Sequence, residues 1–344
     1  MLVLRTAQEA DLDAVFGMAR RIGPGMTTLK ADRGALRDRL ALAASSFAGE
    51  VAQEDADYLF VLEDLETGQV CGVSAIKGAV GVHEPFYNYR IATTVHASPT
   101  TGRVNRVQSL HLSHDLSGAA ELCSLYLDPA WRKGAAGRLL SKGRLLFMAQ
   151  FPQLFGRKVF AEMRGFQDGE GNSPFWEAVG RPFFDMDFHE ADDLCGKGDR
   201  LFIEHLVPRL PLYTHLLGED ACAAIGQTHA DTAPARRLLE QEGLHFDGYI
   251  DIFDGGPVLQ ANLHDLRALR ASRLAPARAG TPQGAMPTLV ASTGRHAFRV
   301  VVADTDPDCP VVVLPQVALD ALGVGAGAPL RIMPLSSGGL PQRQ

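Results

Sequence analysis

The sequence has no run approaching the roughly 18 apolar residues of a membrane span, no block of lysine and arginine, and no Cys-x-x-Cys pair. The first absence leaves no segment to cross a bilayer as a helix. The second argues against a general nucleic-acid binder, whose non-specific affinity comes mainly from basic side chains neutralising phosphates. A formal charge of −7 and a pI near 5.9 agree. The five cysteines, Cys71, Cys123, Cys195, Cys222 and Cys309, are odd in number and widely spaced, which fits reduced thiols. Met1-Leu-Val-Leu-Arg-Thr reads as a strand without the charged, apolar and small-residue progression of a secretory signal. A cytoplasmic protein acting on small molecules is expected.

What is present is ordinary globular chain: 46% hydrophobic and 21% charged residues over 344 positions, more than the usual 100 to 200 per domain. After the first strand, Leu12, Val15, Phe16 and Ala19 fall at helical spacing, stopped by Gly23-Pro24-Gly25; Leu36, Leu40, Ala43, Ala44 and Phe47 mark a second helix. Apolar runs from Tyr58 and from Gln69 flank Leu65-Glu-Thr-Gly68, predicting a hairpin. A strand is expected around Tyr89 to His96, followed by a long polar connection. Glu121 to Leu127 reads as a strand ended by Asp-Pro, and Lys158 to Arg164 as another. Ser173 to Gly180 reads as a short helix stopped by its glycine. Asp185 to Gly226 is helical and apolar in patches. Thr232 is expected to cap a helix with Pro234 in its first turn and Gly243 at its end. Tyr249 to Phe253 is a strand. Composition shifts to Ala, Gly, Pro and Thr beyond Arg273, predicting a linker near 275 to 288 and a small β-rich segment, 276–344, that could close as a barrel.

The chemistry concentrates between Glu121 and Met148. A strand running into Trp131-Arg-Lys-Gly-Ala-Ala-Gly137 and then a helix presents unpaired backbone N–H groups and a dipole that attract phosphate oxygens. The dipole contributes only about 0.3 to 1 kcal/mol at an exposed site, so the N–H hydrogen bonds and the charges of Arg132, Lys133 and Arg138 are needed as well.

The order of elements around this loop resembles the GNAT acyltransferases, whose loop reads Arg-x-x-Gly-x-Gly and binds the pyrophosphate of CoA. Here it is Arg132-Lys-Gly-Ala-Ala-Gly137, with Ala135 in the first glycine position and Gly134 beside it. Longer strings are similar to the arginine N-succinyltransferase family: His83-Glu-Pro-Phe-Tyr-Asn-Tyr-Arg90, Glu121 through Arg132, Ala161-Glu-Met-Arg-Gly165, Ser173-Pro-Phe-Trp176, Thr228-His-Ala-Asp-Thr-Ala-Pro-Ala-Arg236 and Tyr249 through Pro257. The resemblance implies an α/β (α+β) fold with a mixed, mostly antiparallel sheet flanked by helices. It implies an acyl-CoA-binding core over 1–185, a second GNAT-like part or an insertion completing the acceptor site over 186–275, and the β-rich 276–344. It further implies succinyl transfer from succinyl-CoA, as co-substrate rather than bound cofactor, to the α-amino group of L-arginine. The position of Leu125 would contact succinyl-CoA, along with Arg132, Lys133, Gly134, Ala135 and Gly137, and His229 would be the proton donor. Some relatives work as unlike subunits and accept ornithine, so a homo-oligomer or a heteromer with a related subunit is expected.

Chemistry supports those roles. An α-ammonium with a pKa of about 8 must lose its proton before attacking a thioester, and a departing thiolate benefits from a proton donor; histidine serves either step. The Leu125 amide, where strands splay, suits an oxyanion hole. A guanidinium calls for carboxylates, with Glu121, Glu162, Asp251 and Asp254 as candidates; the carboxylates of the substrates call for Arg90 or Arg164. Cys123 invites a covalent route, but burial in a strand is the plainer expectation. His111, His114 and Asp115 lack a clear fourth ligand, and no metal is expected. Two rival readings are another acyl-CoA N-acyltransferase, such as one acting on ornithine, and a non-catalytic ligand-binding subunit.

Overall fold

A computed structural model describes residues 1–22, 26–196, 201–282, 284 and 286–336; the expected Gly23-Pro24-Gly25 stop lies outside them. Strand β1 (Leu2–Thr6) is followed by helices α1 (Leu12–Ala19) and α2 (Arg33–Ala48), the hairpin β2 (Asp57–Asp64) and β3 (Gln69–Lys77), and a second hairpin, β4 (Asn88–Ser98) and β5 (Arg103–Ser113). Then come β6 (Ala120–Leu127), α3 (Ala136–Gln150) and β7 (Lys158–Glu162). Short helices α4 (Arg181–Phe184), α5 (Phe188–Gly196) and α6 (Leu201–Leu206) precede β8 (Leu212–Tyr213) and α7 (Glu219–Ala224). Helix α8 (Ala233–Gln241), strands β9 (His245–Asp251) and β10 (Pro257–Asn262) and α9 (Arg267–Ala271) follow. The last segment holds β11 (Arg273–Ala279), β12 (Met286–Ser292), β13 (Arg299–Thr305), β14 (Val312–Leu314), α10 (Gln316–Leu322) and β15 (Pro329–Pro334).

All these strands join one mixed, mostly antiparallel sheet, in the order β14-β11-β15-β12-β13-β1-β2-β3-β6-β7-β10-β9-β4-β5-β8. The β-rich last segment is therefore sewn to the core through β13, whose Val301 faces Val3 of β1 in antiparallel register. Alternation along β2 and β3 sends Leu59, Val61 and Val73 toward α1 and α2, and Phe60, Leu62 and Ile76 toward α3, so helices cover both faces. Phe47, Phe60, Phe147 and Phe298 meet edge to face at centroid distances of 5.1 to 6.3 Å. Such pairs are worth about 0.5 to 1.5 kcal/mol each beyond area burial. Phe298 belongs to the last segment and thereby packs into the main core.

Four local expectations change. The polar connection after His96 is itself strand β5, paired with β4 along its length. Gly180 does not stop a helix: Trp176–Gly180 forms a π-helical turn that runs on into α4. A Cβ at Gly180 would lie 2.1 Å from the Trp176 ring, so glycine is there for close packing. Thr232 makes no side-chain cap; its hydroxyl donates to the His229 carbonyl at 3.1 Å. The stretch expected as linker begins with strand β11, paired to β15.

Candidate active site

Parallel pairing of β6 with β7 lasts only through Ala120↔Val159 and Glu121↔Phe160. Beyond it the strands diverge. On the other side of β6, the register with β3 slips: Cys123 faces Ala75 and Tyr126 faces Val73, so Ser124 and Leu125 together oppose Ser74. Ser124 adopts φ 52°, rare for a residue with a Cβ. Such a bulge interrupts the ladder and re-aims the backbone at Ser124 and Leu125, next to where the β6–β7 pairing ends.

The loop that the sequence marked for a phosphate, Arg132 to Gly137, leads from β6 into α3. Gly134 takes φ 60°, and no atom lies within 4 Å of where its Cβ would sit. Ala135 sits at φ −98°, ψ −4°, conformationally easy for alanine. The left-handed residue of this loop is thus Gly134, and the departure at position 135 carries no strain. Helix α3 has no side-chain N-cap; the Ala136 amide donates to the Lys133 carbonyl at 3.4 Å, and that of Gly137 has no intrahelical acceptor. Lys133 and Arg132 are exposed around them; Arg132 Nε donates to the Leu127 carbonyl at 3.1 Å.

His229 lies where β7 runs out. Its amide donates to the Arg164 carbonyl at 2.8 Å, and Thr228 bridges Gly165 in antiparallel fashion. The ring caps the turn before α8, its Nδ1 accepting from the Asp231 amide at 3.2 Å. Partial burial and the nearby Arg164 push the imidazole below its usual value, against a smaller opposite pull from Asp231. The ring is therefore neutral at pH 7. With Nδ1 used as acceptor, the hydrogen resides on Nε2, which is a donor.

Beside it a pocket is lined by Thr27, Phe86 and Tyr87, by Glu162 and Arg164, by Asp192, and by Asp251 and Asp254 from the β9–β10 turn. Glu162 accepts from Asn88 at 2.9 Å. Burial, then repulsion from Asp251 and Glu121, drives its carboxyl well above the usual range. Asp251 is raised by burial although the Phe253 and Asp254 amides donate to it. Asp254 is raised by burial and by Asp251, while accepting from the amides of Gly165 and Gly256. Three carboxyl groups thus share one lobe, their ionised forms held back by burial and by one another. Nearby, Arg164 Nε and Gln167 Nε2 are buried without an acceptor among the described residues, and Arg164 Nη2 donates to Gln167 Oε1.

The structure brings together Glu162, Arg164, Asp251, Asp254 and His229. Glu121 is close but faces Lys77 at 3.6 Å rather than lining the pocket. Arg90 stands elsewhere: it pairs with Asp115 at 3.8 Å and lies over the Tyr249 ring. Cys123 is buried against α1 and α2, its thiol pushed up to about 11 by burial, which argues against a nucleophilic role. His111 is bonded to Ser109 and His114 packs on Tyr87. Among the described residues no cluster is arranged to hold a metal, and no helix is long and apolar enough to cross a membrane. Gln167 and Asp192 went unread in the sequence. Asp192, paired with Lys30 at 2.5 Å, sits in the segment where only patchy helix was legible.

Residues 2–268 match the family model of the arginine N-succinyltransferase beta subunit, and residues 273–334 that of its C-terminal domain. The chain belongs to the arginine N-succinyltransferase family. It is 47% identical over 337 residues to the arginine N-succinyltransferases of Escherichia coli O139:H28 and of Citrobacter koseri, covering 97% of this chain; the E. coli protein is covered over 98% of its length. The solved structure of arginine/ornithine succinyltransferase subunit AI from Pseudomonas aeruginosa superposes with a TM-score of 0.89 at 40% identity, over 98% of this chain and 99% of that one. The arginine N-succinyltransferase family membership makes this chain an acyltransferase, built on a mixed sheet flanked by helices with an additional C-terminal β region.

Proposed function

We propose that this chain transfers succinyl from succinyl-CoA to the α-amino group of L-arginine, giving N2-succinyl-L-arginine and free CoA, by direct attack in a ternary complex in the cytoplasm. The observation that carries the reading is the buried carboxylate lobe of Glu162, Asp251 and Asp254 opening beside the splayed strands and His229. A guanidinium supplies the charge that lobe lacks, with five donors for its oxygens. Arg164 Nε and Gln167 Nε2 then take a substrate carboxylate, because each is a buried donor that gains its acceptor only with ligand.

The CoA pyrophosphate rests on the amides of Gly134, Ala135 and Gly137, with Arg132 and Lys133 adding charge. The thioester carbonyl accepts from the Leu125 amide. As the amine nitrogen bonds to the carbonyl carbon, negative charge grows on that oxygen, and collapse breaks the C–S bond. The nitrogen releases one proton to solvent, and sulfur receives one from His229 Nε2–H while the ring takes up a proton at Nδ1, so that it ends neutral and never becomes an imidazolate. A second proton on the ring would sit at Nδ1, facing Asp231 Oδ2 at 3.7 Å. No step requires acyl transfer to Cys123.

A second reading extends the acceptor to ornithine, since the Pseudomonas protein at 40% identity is titled an arginine/ornithine succinyltransferase subunit and carboxylates bind an ammonium as well. We also propose that the chain assembles with itself or with a related subunit, which mass measurement in solution tests. Thiol release measured with succinyl-CoA or acetyl-CoA, each with arginine or ornithine, tests the activity. Succinyl-CoA with arginine is expected to be the fastest pair. No thiol release from that pair would overturn the reading.

A further inference from the structure

A backbone N–H stabilises an oxyanion only when it is held where the charge develops. The bulge that frees the Leu125 amide is the least self-supporting part of β6. Ser124 is in a left-handed conformation that its Cβ disfavours, and neither Ser124 nor Leu125 has its own register partner on β3.

Two arginines reach this point from opposite faces of the sheet. From α2, Arg39 donates through Nη1 to Ser124 Oγ at 3.0 Å and to the Thr28 carbonyl. Its other nitrogens are fixed on Asp57 at 2.8 and 3.2 Å. Ser124 Oγ in turn donates to the Thr28 carbonyl at 3.1 Å. From α3, Arg144 donates through Nη1 to the carbonyls of Cys123 at 3.2 Å and Ala75 at 3.3 Å, the register pair immediately before the bulge. Arg144 is 1% exposed and forms no ion pair among the described residues. Burial pushes its guanidinium down to about 10, so it stays cationic at neutral pH. A buried cation without a counter-charge is a costly way to fill volume that an apolar side chain would fill better. The two carbonyls it grips supply the reason for keeping it.

We infer that Arg39 and Arg144 are positioning residues that clamp the Ser124 bulge between α2 and α3 and thereby aim the Leu125 amide at the thioester oxygen. This rests on the acyl-transfer reading above. Helix α3 also carries the phosphate loop at its start, so one rigid element sets both the seat of CoA and the aim of the amide.

The test uses Arg144→Lys, Arg39→Lys and Ser124→Gly in the full chain. Lysine keeps the charge but cannot hold two acceptors in a fixed fork; glycine removes the Arg39 tether while relieving the backbone. Wild-type turnover of succinyl-CoA with arginine is read first, and its absence would overturn the substrate reading rather than the clamp. Each variant is expected to lose about 10- to 100-fold in kcat, below the cost of deleting an oxyanion donor outright. KM for both substrates should stay within about twofold, with the melting transition retained. Isotope-edited infrared spectra of bound succinyl-CoA should show the thioester carbonyl band moving back toward its position in free solution. Variants that lose activity only with their melting transition, or that keep wild-type kcat and carbonyl band, overturn the clamp; wild-type behaviour in Ser124→Gly alone overturns the Arg39 half.

Discussion

The bulge of β6, proposed as the acyl side, and the carboxylate pocket, proposed as the acceptor side, are built on opposite plans. Around the bulge of β6 the supporting side chains find their partners within the protein: Ser124 with Thr28 and Arg39, Arg39 with Asp57, Arg144 with the carbonyls of Ala75, Cys123 and Ser141. In the pocket a few residues away three carboxyl groups crowd together, and in and behind its wall two buried donors, Arg164 Nε and Gln167 Nε2, have no acceptor among the described residues. The first plan suits a device whose geometry must be ready before the reaction begins. The second suits a receptor completed by its ligand. The contrast explains why the stronger strain in the backbone, at Ser124, coincides with the stronger scaffolding.

The comparison breaks most visibly at the residue between the two sides. His229→Ala should lower kcat by about 10²- to 10⁴-fold, with little change in KM for succinyl-CoA. His229→Gln, which offers an N–H in place of Nε2–H, should recover part of the loss if hydrogen bonding to the leaving sulfur carries the effect. Steady-state thiol release measures both, and an unimpaired alanine variant would remove His229 from the mechanism.

On the acceptor side, Glu162→Gln should raise KM for arginine by about 10- to 100-fold, as charged hydrogen bonds are worth about 1.5 to 3 kcal/mol, and leave KM for succinyl-CoA alone. On the acyl side, Gly134→Ala should do the reverse and more weakly. The added methyl meets nothing, so only the left-handed backbone matters, at about 1 to 2 kcal/mol. A rise of several-fold in KM for succinyl-CoA, with arginine unaffected, would keep the sides separable; parallel changes in both would erase the distinction.

The smallest effect is the most diagnostic of the unfinished lobe. Arginine should release protons on binding near neutral pH, because a cation favours the ionised forms of Asp251, Asp254 and Glu162. Calorimetry in two buffers of different ionisation enthalpy reads this, and Asp254→Asn should reduce it. The sign for stability follows from linkage: carboxyls raised in the folded state bind protons more tightly there than in the unfolded chain. Their contribution is greatest at acid pH and fades as pH rises through the raised values. Saturating arginine should flatten that fall in the melting temperature, and an unchanged slope would argue against binding in this lobe.

Much of the core was legible because its elements bury one face each: the periodicity of α2 and the apolar runs of β2, β3 and β6 left few alternatives. Strand β5 was not, since its first half is exposed on both faces and its alternation there carries no burial signal. Gly180 read as a stop because a sequence does not show the Trp176 ring that forbids a side chain there. The site divides likewise. His229, Leu125 and the loop at 132–137 were singled out through strings similar to a known family, whereas Asp192, which lines the pocket, and Gln167, which stands behind it on Arg164, come from separate segments with no shared spacing. Arg39 and Arg144 look like any basic residues of a helix. Their burial, and the carbonyls they hold, exist only once the sheet is assembled.

The pairing of β1 with β13 has a temporal consequence. As the chain leaves the ribosome, Val3 can find β2 early, but its other neighbour, Val301, is nearly the whole length of the protein away. Until then β1 is an open edge with unpaired amides and carbonyls, the kind of surface that invites pairing with other chains. So distant a contact is also slow to form. Late arrival of β13 closes that edge and brings Phe298 into the main core. Truncation within the last segment should therefore show itself first as aggregation during synthesis, before any question of catalysis arises.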